Sequence, residues 1–142
     1  MVMAINYNYE TRFGLKNENN YSDWLNRIIN SESFDTGELS FVFCDDAYLL
    51  ELNKKYLNHD TLTDIITFDY TEGINVSGDI FISVERVKEN ANDFGCPVKE
   101  ELLRVMAHGV LHLLGYNDKS SGEVEVMRQK EEEKIKLFHV ER

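Results

Sequence analysis

The sequence predicts an α/β fold in which a small mixed sheet is packed with about five helices. Segments of alternating or β-branched residues are interspersed with segments of helical periodicity, in the order β-α-β-α-β-β-α-α-α. The chain has 142 residues, no internal repeat and no low-complexity linker. We therefore expect a single domain over residues 1–142.

The individual elements follow from periodicity and from the residues that end helices. The strands are predicted over residues 4–9, 38–44, 63–70 and 76–84. The helices are predicted over residues 21–31, from Asp45 or Asp46 to Tyr56, and over residues 85–94, 98–115 and 123–138. Ser22 is the expected N-cap of the first helix, and Gly95 and Gly115 are expected to end the third and fourth helices.

The chain is strongly acidic. Its 26 acidic residues and 15 lysines and arginines give a formal net charge of −11. This charge opposes non-specific attraction to nucleic acid, so an RNA substrate would need a local basic patch. The many charges of the last predicted helix, residues 123–138, favour a solvated outer face over a partner-binding role.

Several features bear on where the protein works. No apolar stretch approaches the ~20 residues that a membrane span needs, and the first residues lack the basic and apolar regions of a signal peptide. We therefore expect a soluble, cytoplasmic protein with no membrane partner. Cys44 and Cys96 are too few for a disulfide framework and are predicted to be small core or loop residues.

The segment HGVLHLLGYND, residues 108–118, has the spacing of a metal site at the C-terminal end of a helix. His108 and His112 are one turn apart on the same helix face, so both imidazoles can point at one ion. Gly115 allows a left-handed turn, after which Asp118 can return as a third ligand. The spacing is that of the zincin motif H-E-x-x-H-x-x-G-x-x-H, with Gly109 in place of its Glu and Asp118 in place of its last His.

Two explanations of these histidines compete. They can be core residues bonded to backbone carbonyls, or they can bind a metal. Burying two imidazoles without partners would cost a few kcal/mol, and a metal removes that difficulty. Two imidazoles and a carboxylate suit one Zn²⁺ per chain with an open water position, although iron, nickel, cobalt and manganese also accept these ligands.

Gly109 decides which chemistry this site favours. In zinc peptidases the Glu at this position takes a proton from water, and glycine has no side chain to do so. A zincin-like metallopeptidase is therefore disfavoured. A metal that lowers the pKa of its bound water can still supply hydroxide as the nucleophile for hydrolysis of a phosphodiester. No catalytic residue beyond the metal centre is therefore predicted.

Three segments together resemble one family. HGVLHLLGYND with EVEVM at 123–127 is similar to the H-G-x-L-H-L-x-G-Y-D-H and E-x-x-x-M pattern of the YbeY endoribonuclease family of bacterial rRNA maturation factors. LNKKYLNHDTLTDIITF at 52–68 resembles its L-N-x-x-Y-R…P-T-D-V-L-S-F segment, and SGDIFIS at 77–83 resembles its G-D-I-x-I-S strand. The similarity extends over roughly residues 45–135.

The resemblance implies a zinc-dependent, single-strand-specific endoribonuclease that acts in maturation of the small-subunit rRNA 3′ end and in ribosome quality control. Its partners would be single-stranded RNA, the small-subunit rRNA precursor and the ribosome or ribosomal factors, with no role for DNA. The resemblance also implies a mixed, mostly parallel four-stranded sheet. The alternative is a non-catalytic ribosome-assembly factor whose metal is structural.

By position, the resemblance implies that His108, His112 and Asp118 hold zinc. A substrate groove beside the metal would include four further residues: Thr63, Asp64, Asp79 and His59. Asp79 follows a glycine, so the simpler expectation is that it has a structural role and orders a turn. For His59, an ordinary exposed loop histidine is the simpler interpretation.

The sequence departs from the family pattern at two positions. Asp118 stands where the family has its third histidine, and Leu57 stands where it has an arginine. Six cations are candidates to replace that arginine: Lys54, Lys55, Arg86, Lys88, Arg104 and Lys119. Each of them is equally well explained as an ordinary surface charge.

Overall fold

The computed structural model of the protein describes residues 4–59 and 61–139. Its strands are β1 (Ala4–Tyr9), β2 (Asp35–Cys44), β3 (Ile65–Asp69) and β4 (Asn75–Ser83). Its helices are α1 (Glu18–Ser31), α2 (Asp46–Leu57), α3 (Val84–Phe94), α4 (Val98–Leu113) and α5 (Ser121–His139). The predicted order of strands and helices is confirmed.

The four strands form one mixed sheet in the order β1-β2-β4-β3. β2 is parallel to both β1 and β4, while β3 is antiparallel to β4. A short turn can join β3 to β4 because they are antiparallel, whereas parallel β1 and β2 require the crossover through α1. The expected α/β fold with a mixed, mostly parallel four-stranded sheet is confirmed.

The two faces of the sheet are covered by different helices. Along β4, Gly78 and Ile80 face α4, as shown by their closeness to Leu113 and Gly109. Residues in alternate positions face the other way, and Phe81 stacks on Tyr48 of α2. The larger core therefore lies between the sheet and the helices on the α4 side, and a smaller cluster lies under α2.

Helix α4 approaches the sheet closely at Gly109, which has no side chain. A Cβ atom placed there would be 2.9 Å from the Cδ1 atom of Ile65 and 3.1 Å from Cγ2 of Ile80. The helix ends at Leu113, and Gly115 follows with a φ of +103°. The left-handed turn predicted at Gly115 is therefore confirmed, and it directs the chain back toward the histidines.

Two predicted helix starts are wrong. Helix α1 begins at Glu18, and Ser22 lies inside it, where its Oγ atom forms a 3.0 Å hydrogen bond with the Tyr7 hydroxyl instead of capping the helix. Helix α5 begins at Ser121, two residues before the predicted start. Its start carries a capping box, because the Ser120 Oγ accepts from the Glu123 N–H and the Glu123 carboxylate accepts from the Ser120 N–H.

The prediction that the charges of α5 lie on a solvated outer face is only partly right. Glu131 and Lys134 are buried together with Met127 and Phe138. These positions follow a helical stripe that faces the rest of the protein, so two of the charges are enclosed by neighbouring helices. Within residues 4–59 and 61–139, no helix has the length and apolar character required to cross a membrane.

Candidate metal centre

The two histidines and Asp118 come together at the C-terminal end of α4. We call these three residues the ligand triad. The Nε2 atoms of His108 and His112 are 3.0 Å apart, and Asp118 Oδ2 lies 3.2 Å from the first and 3.4 Å from the second. Among the described residues, only this group of His, Cys, Asp or Glu side chains has the spacing of a metal site.

These separations fit a small ion bound by nitrogen and oxygen. Ligands at ~2.0–2.1 Å from a tetrahedral Zn²⁺ are about 3.3–3.4 Å from one another. The three distances of 3.0, 3.2 and 3.4 Å in the ligand triad are close to this value. The residues present therefore have both the chemistry and the spacing that zinc requires.

The other ring nitrogens are held by oxygen acceptors. His108 Nδ1 is 2.5 Å from Glu131 Oε2, and His112 Nδ1 is 2.9 Å from the carbonyl oxygen of Tyr116. An ionised carboxylate and a carbonyl only accept, so each Nδ1 carries the proton and each Nε2 presents a lone pair. Two lone pairs and the Asp118 carboxylate thus face one another, an arrangement that a cation stabilises.

Glu131 belongs to a partly buried group of charges next to the triad, which we call the Glu131 cluster: Asp64, Glu101, Arg104 and Glu131. Arg104 donates to both carboxylate oxygens of Glu101 and lies 3.4 Å from Glu131 and 3.6 Å from Asp64. Hydrogen bonding to Glu101 raises the pKa of Arg104, although burial opposes this rise. The guanidinium therefore neutralises part of the carboxylate charge beside His108.

Tyr116 connects the triad to a second, partly buried group of polar and charged residues. Its hydroxyl donates to Glu32 at 2.7 Å, and Glu32 also accepts from Lys130 and Lys134 at 3.0 and 2.7 Å. Lys134 donates as well to the Ser31 hydroxyl at 2.9 Å. We call Ser31, Glu32, Lys130 and Lys134 the Lys134 cluster. It fixes Tyr116, whose carbonyl orients the His112 ring.

A groove of about 450 Å³ runs past the triad between α5 and the ends of α3 and α4. His108 and Asp118 lie on its wall, together with two cationic side chains, Arg104 and Arg128, and two acidic ones, Glu131 and Glu132. Buried Met127 and half-buried Ile135 supply apolar surface. The triad is therefore accessible from a cleft of the size that holds small ligands.

The four residues predicted to shape a substrate groove lie in different places. Asp64 reaches the site through Arg104, and the Thr63 hydroxyl beside it donates to the Ile65 carbonyl at 3.4 Å. Asp79 lies in the middle of β4, so it orders no turn, and the alternation of the strand turns it to the face opposite α4. His59 is an exposed residue after α2. None of the four residues lines the groove described above.

Of the six candidate replacements for the family arginine, only Arg104 lines the groove. Its guanidinium is already engaged by carboxylates. Arg86 is paired with Asp46 at 3.1 Å, away from the groove. Arg128, which was not among these six candidates, lines the groove from α5.

Sequence reasoning also missed Glu131. The spacing of residues in α5 could have indicated that Glu131 is buried. The positions i, i+4, i+7 and i+11 of one helix face are occupied by Met127, Glu131, Lys134 and Phe138. The two apolar residues mark an inward stripe, and the two charges lie on it. A charge on the inward stripe of a helix needs a buried partner, and for Glu131 that partner is His108.

Comparisons with known proteins agree with this site and fold. The sequence model of the family described as Endoribonuclease YbeY matches residues 5–139. Proteins of that description from Flavobacterium johnsoniae and Christiangramia forsetii are 60% and 54% identical to the chain, each over 137 residues and 96% of its length. These matches span 99% and 96% of the two relatives.

A solved structure is also similar. The solution structure of a Thermotoga maritima protein superposes with a TM-score of 0.71 at 28% sequence identity, covering 95% of this chain and 89% of that one. The family model matches nearly the whole length of the chain, and the two relatives named above are each more than 50% identical to it. The chain belongs to the YbeY endoribonuclease family.

Proposed function

We propose that the protein is a single-strand-specific, zinc-dependent endoribonuclease that acts in maturation of the small-subunit rRNA 3′ end and in ribosome quality control. It would work in the cytoplasm, as a single domain, on an rRNA precursor in contact with the ribosome. The observation that supports this best is the convergence of two imidazole lone pairs and a carboxylate on the wall of an open groove. Family membership supplies the reaction class.

The ligand triad would hold one Zn²⁺ per chain, which as a Lewis acid would stabilise negative charge on a phosphodiester and lower the pKa of a water molecule. The protein's own contribution is to fix the tautomer and the orientation of both rings, so that each Nε2 atom faces the ion. Glu131 and the Tyr116 carbonyl do this by accepting the Nδ1 protons. No side chain at position 109 is available to take a proton, which favours phosphodiesters over peptides as substrates.

The acidic character of the chain sets how RNA is held. A net charge of −11 repels RNA, and Arg104 is largely neutralised by its carboxylate partners. Binding must therefore depend on few cationic contacts. The affinity for single-stranded RNA should fall with salt at a shallow slope, equivalent to roughly two to four phosphates.

Metal content is the first test. Purified protein should carry about one transition-metal ion per chain, and His108→Ala combined with His112→Ala should abolish binding. Asp118→Ala should weaken binding strongly, whereas Asp118→His should retain a metal because it restores a neutral ligand of suitable reach. Equal metal affinity in the wild type and Asp118→Ala would remove Asp118 from the ligand triad.

The decisive test is cleavage of a 3′-extended small-subunit rRNA fragment by wild type and His112→Ala prepared identically, because contaminating ribonucleases would act equally in both. We expect metal-dependent cleavage by wild type only, and no hydrolysis of unstructured peptides. Undiminished cleavage by the variant would contradict the nuclease proposal. If folded His112→Ala also supported ribosome maturation in cells, the assembly-factor alternative would be the better one.

A further inference from the structure

One aromatic side chain of the groove is left uncovered by the fold. Phe94 is the last residue of α3 and is 67% exposed, although the preceding residues of its stripe, Val87 and Ala91, are buried. Gly95 ends the helix there with a φ of +70°. Phe94 therefore extends the apolar stripe of α3 beyond the core, and its ring lies on the wall of the groove that contains His108.

The groove also contains a guanidinium available to a ligand. Arg128 is exposed on α5 and lines the same cavity as Phe94. Within the part of the chain that the structure describes, no acidic side chain lies within ion-pair distance of Arg128, whereas Arg104 in the same groove has three such partners. Arg128 is thus the groove cation that is not held in an ion pair, although Glu131 and Glu132 also line the groove.

We infer that Phe94 and Arg128 form a nucleotide subsite, in which a base of single-stranded RNA stacks on the Phe94 ring while Arg128 binds a neighbouring phosphate. The inference rests on the proposed function, because it places the RNA strand in the groove beside the ligand triad. Stacking of an unpaired base on an exposed aromatic ring is the usual way in which proteins hold single-stranded RNA without reading its sequence.

The chemistry of the groove favours a nucleotide over a protein side chain as the occupant. A nucleotide carries an aromatic face for Phe94 and an anion for Arg128 in one unit. Its backbone would then pass the ligand triad, where the scissile phosphate must lie. An apolar protein segment would cover Phe94 but leave Arg128 without a partner. Bases in a duplex are stacked on each other, so the subsite also favours single strands.

The test measures the affinity of the zinc-loaded protein for a mixed-sequence single-stranded oligoribonucleotide of about ten nucleotides, a length within the usual footprint of such sites. Gel analysis confirms that the oligonucleotide is intact in each sample. The variants are Phe94→Ala and Arg128→Gln. Tyr70→Ala is the matched control, because Tyr70 is also highly exposed, at 59%, but does not line the groove.

The two variants should fail in different ways. Phe94→Ala should lower the affinity about five- to a hundredfold without changing its salt dependence, because stacking is not ionic. Arg128→Gln should reduce the slope of log affinity against log salt by about 0.7, the value for one phosphate contact on a single strand. Tyr70→Ala should retain wild-type affinity. Unchanged thermal unfolding in all three shows that the fold is intact.

Phe94→Trp gives a direct readout of stacking. The introduced indole should restore binding, and its fluorescence should be quenched by the single-stranded oligonucleotide but not by a duplex of the same sequence. The native Trp24 is fully buried and supplies a constant background. Equal quenching in Tyr70→Trp would show collisional contact and would overturn the inference.

The outcomes separate this inference from the proposed function. If wild type binds and cleaves RNA and Phe94→Ala does so equally well, the subsite is wrong while the nuclease proposal stands, and Phe94 is better explained as a contact for a protein partner. If wild type neither binds nor cleaves RNA, both fail.

Discussion

Helix α5 carries two buried charges that face different neighbours. Glu131, with 6% of its side chain exposed, contacts the metal-ligand candidate His108 on α4. Lys134, with 1% exposed, contacts Ser31 and Glu32 at the end of α1. Both charges are enclosed, and both have short hydrogen bonds. They differ in the role of the residues that they contact.

The partners of Lys134 form a closed set. Its ammonium group is satisfied by Ser31, Glu32 and Glu133, and the resulting contacts join α5 to α1. The partner of Glu131 is a ring whose second nitrogen presents a lone pair to the ligand triad. Buried charge therefore supports the fold on one side of α5 and prepares a binding site on the other. Burial alone does not distinguish these roles, so the following changes test the difference.

The largest effect on stability is expected from Lys134→Ala. It removes a buried ammonium and its apolar stem, which should lower the free energy of unfolding by about 3 kcal/mol. Urea denaturation measures the loss, and Lys134→Met, which keeps the stem volume, should recover part of it. Zinc stoichiometry of the folded variant should remain unchanged. Loss of zinc without loss of stability would reverse the roles assigned to the two clusters.

Glu131→Gln is expected to act mainly on the metal. The amide oxygen can still accept from His108 Nδ1, but without the negative charge that makes the ring a stronger ligand. Zinc affinity, measured by competition with a chelator, should fall about 10–100-fold. Glu132→Gln is the matched control, since it changes the same charge at an exposed neighbouring position. Equal losses in the two variants would show a general charge effect only.

Glu32 should make the Lys134 cluster sensitive to acid. Burial raises the pKa of Glu32, but hydrogen bonds from Lys134, Tyr116 and Lys130 outweigh burial and lower this pKa from 4.5 to about 2. Because the pKa is lower in the folded state, the stabilisation is present above pH 4.5 and is lost as the pH falls towards 2.

Glu32→Gln should therefore cost about 1–2 kcal/mol at neutral pH, where the charged hydrogen bonds are lost. The difference from wild type should shrink between pH 4.5 and pH 2. Urea unfolding at a series of pH values checks this. A constant difference across that range would show that the Glu32 charge does not supply the stabilisation.

The smallest effect is expected from Glu133→Gln. Glu133 also lies 2.8 Å from Lys134, but its side chain is 55% exposed. Solvent screening should limit the loss to about 0–1 kcal/mol. A thermal unfolding scan beside Glu32→Gln gives the comparison. A larger loss than that of Glu32→Gln would mean that exposure is a poor guide to the worth of these contacts.

The ligand triad was predictable because its spacing is local. His108, His112 and Asp118 lie within eleven residues, and the helical repeat and the turn at Gly115 bring them together. Hydrophobic periodicity also predicted the order of the elements. The strand order β1-β2-β4-β3 could not be predicted in this way, because strand pairing depends on contacts that periodicity does not encode.

The contacts that support the triad are remote in sequence. Glu131 is 23 residues from His108, and Lys134 is 102 residues from Glu32. In the sequence, Glu131 and Lys134 each appear as one charge in a run of charges, and such a run is most often solvated. Ser22 shows the same limit on a smaller scale, because a contact with Tyr7 across the fold replaces the local capping hydrogen bond that was predicted.

The close packing of Gly109 also bears on how this scaffold can evolve. A glutamate at this position would begin with a Cβ atom 2.9 Å from Cδ1 of Ile65 and 3.1 Å from Cγ2 of Ile80, so those two side chains would have to shift to admit it. Its carboxylate would also start from the apolar contact between α4 and the sheet, where burying an unpaired charge is costly. Packing and desolvation therefore both oppose a glutamate at position 109. This scaffold accordingly favours chemistries that need no acid or base at that position.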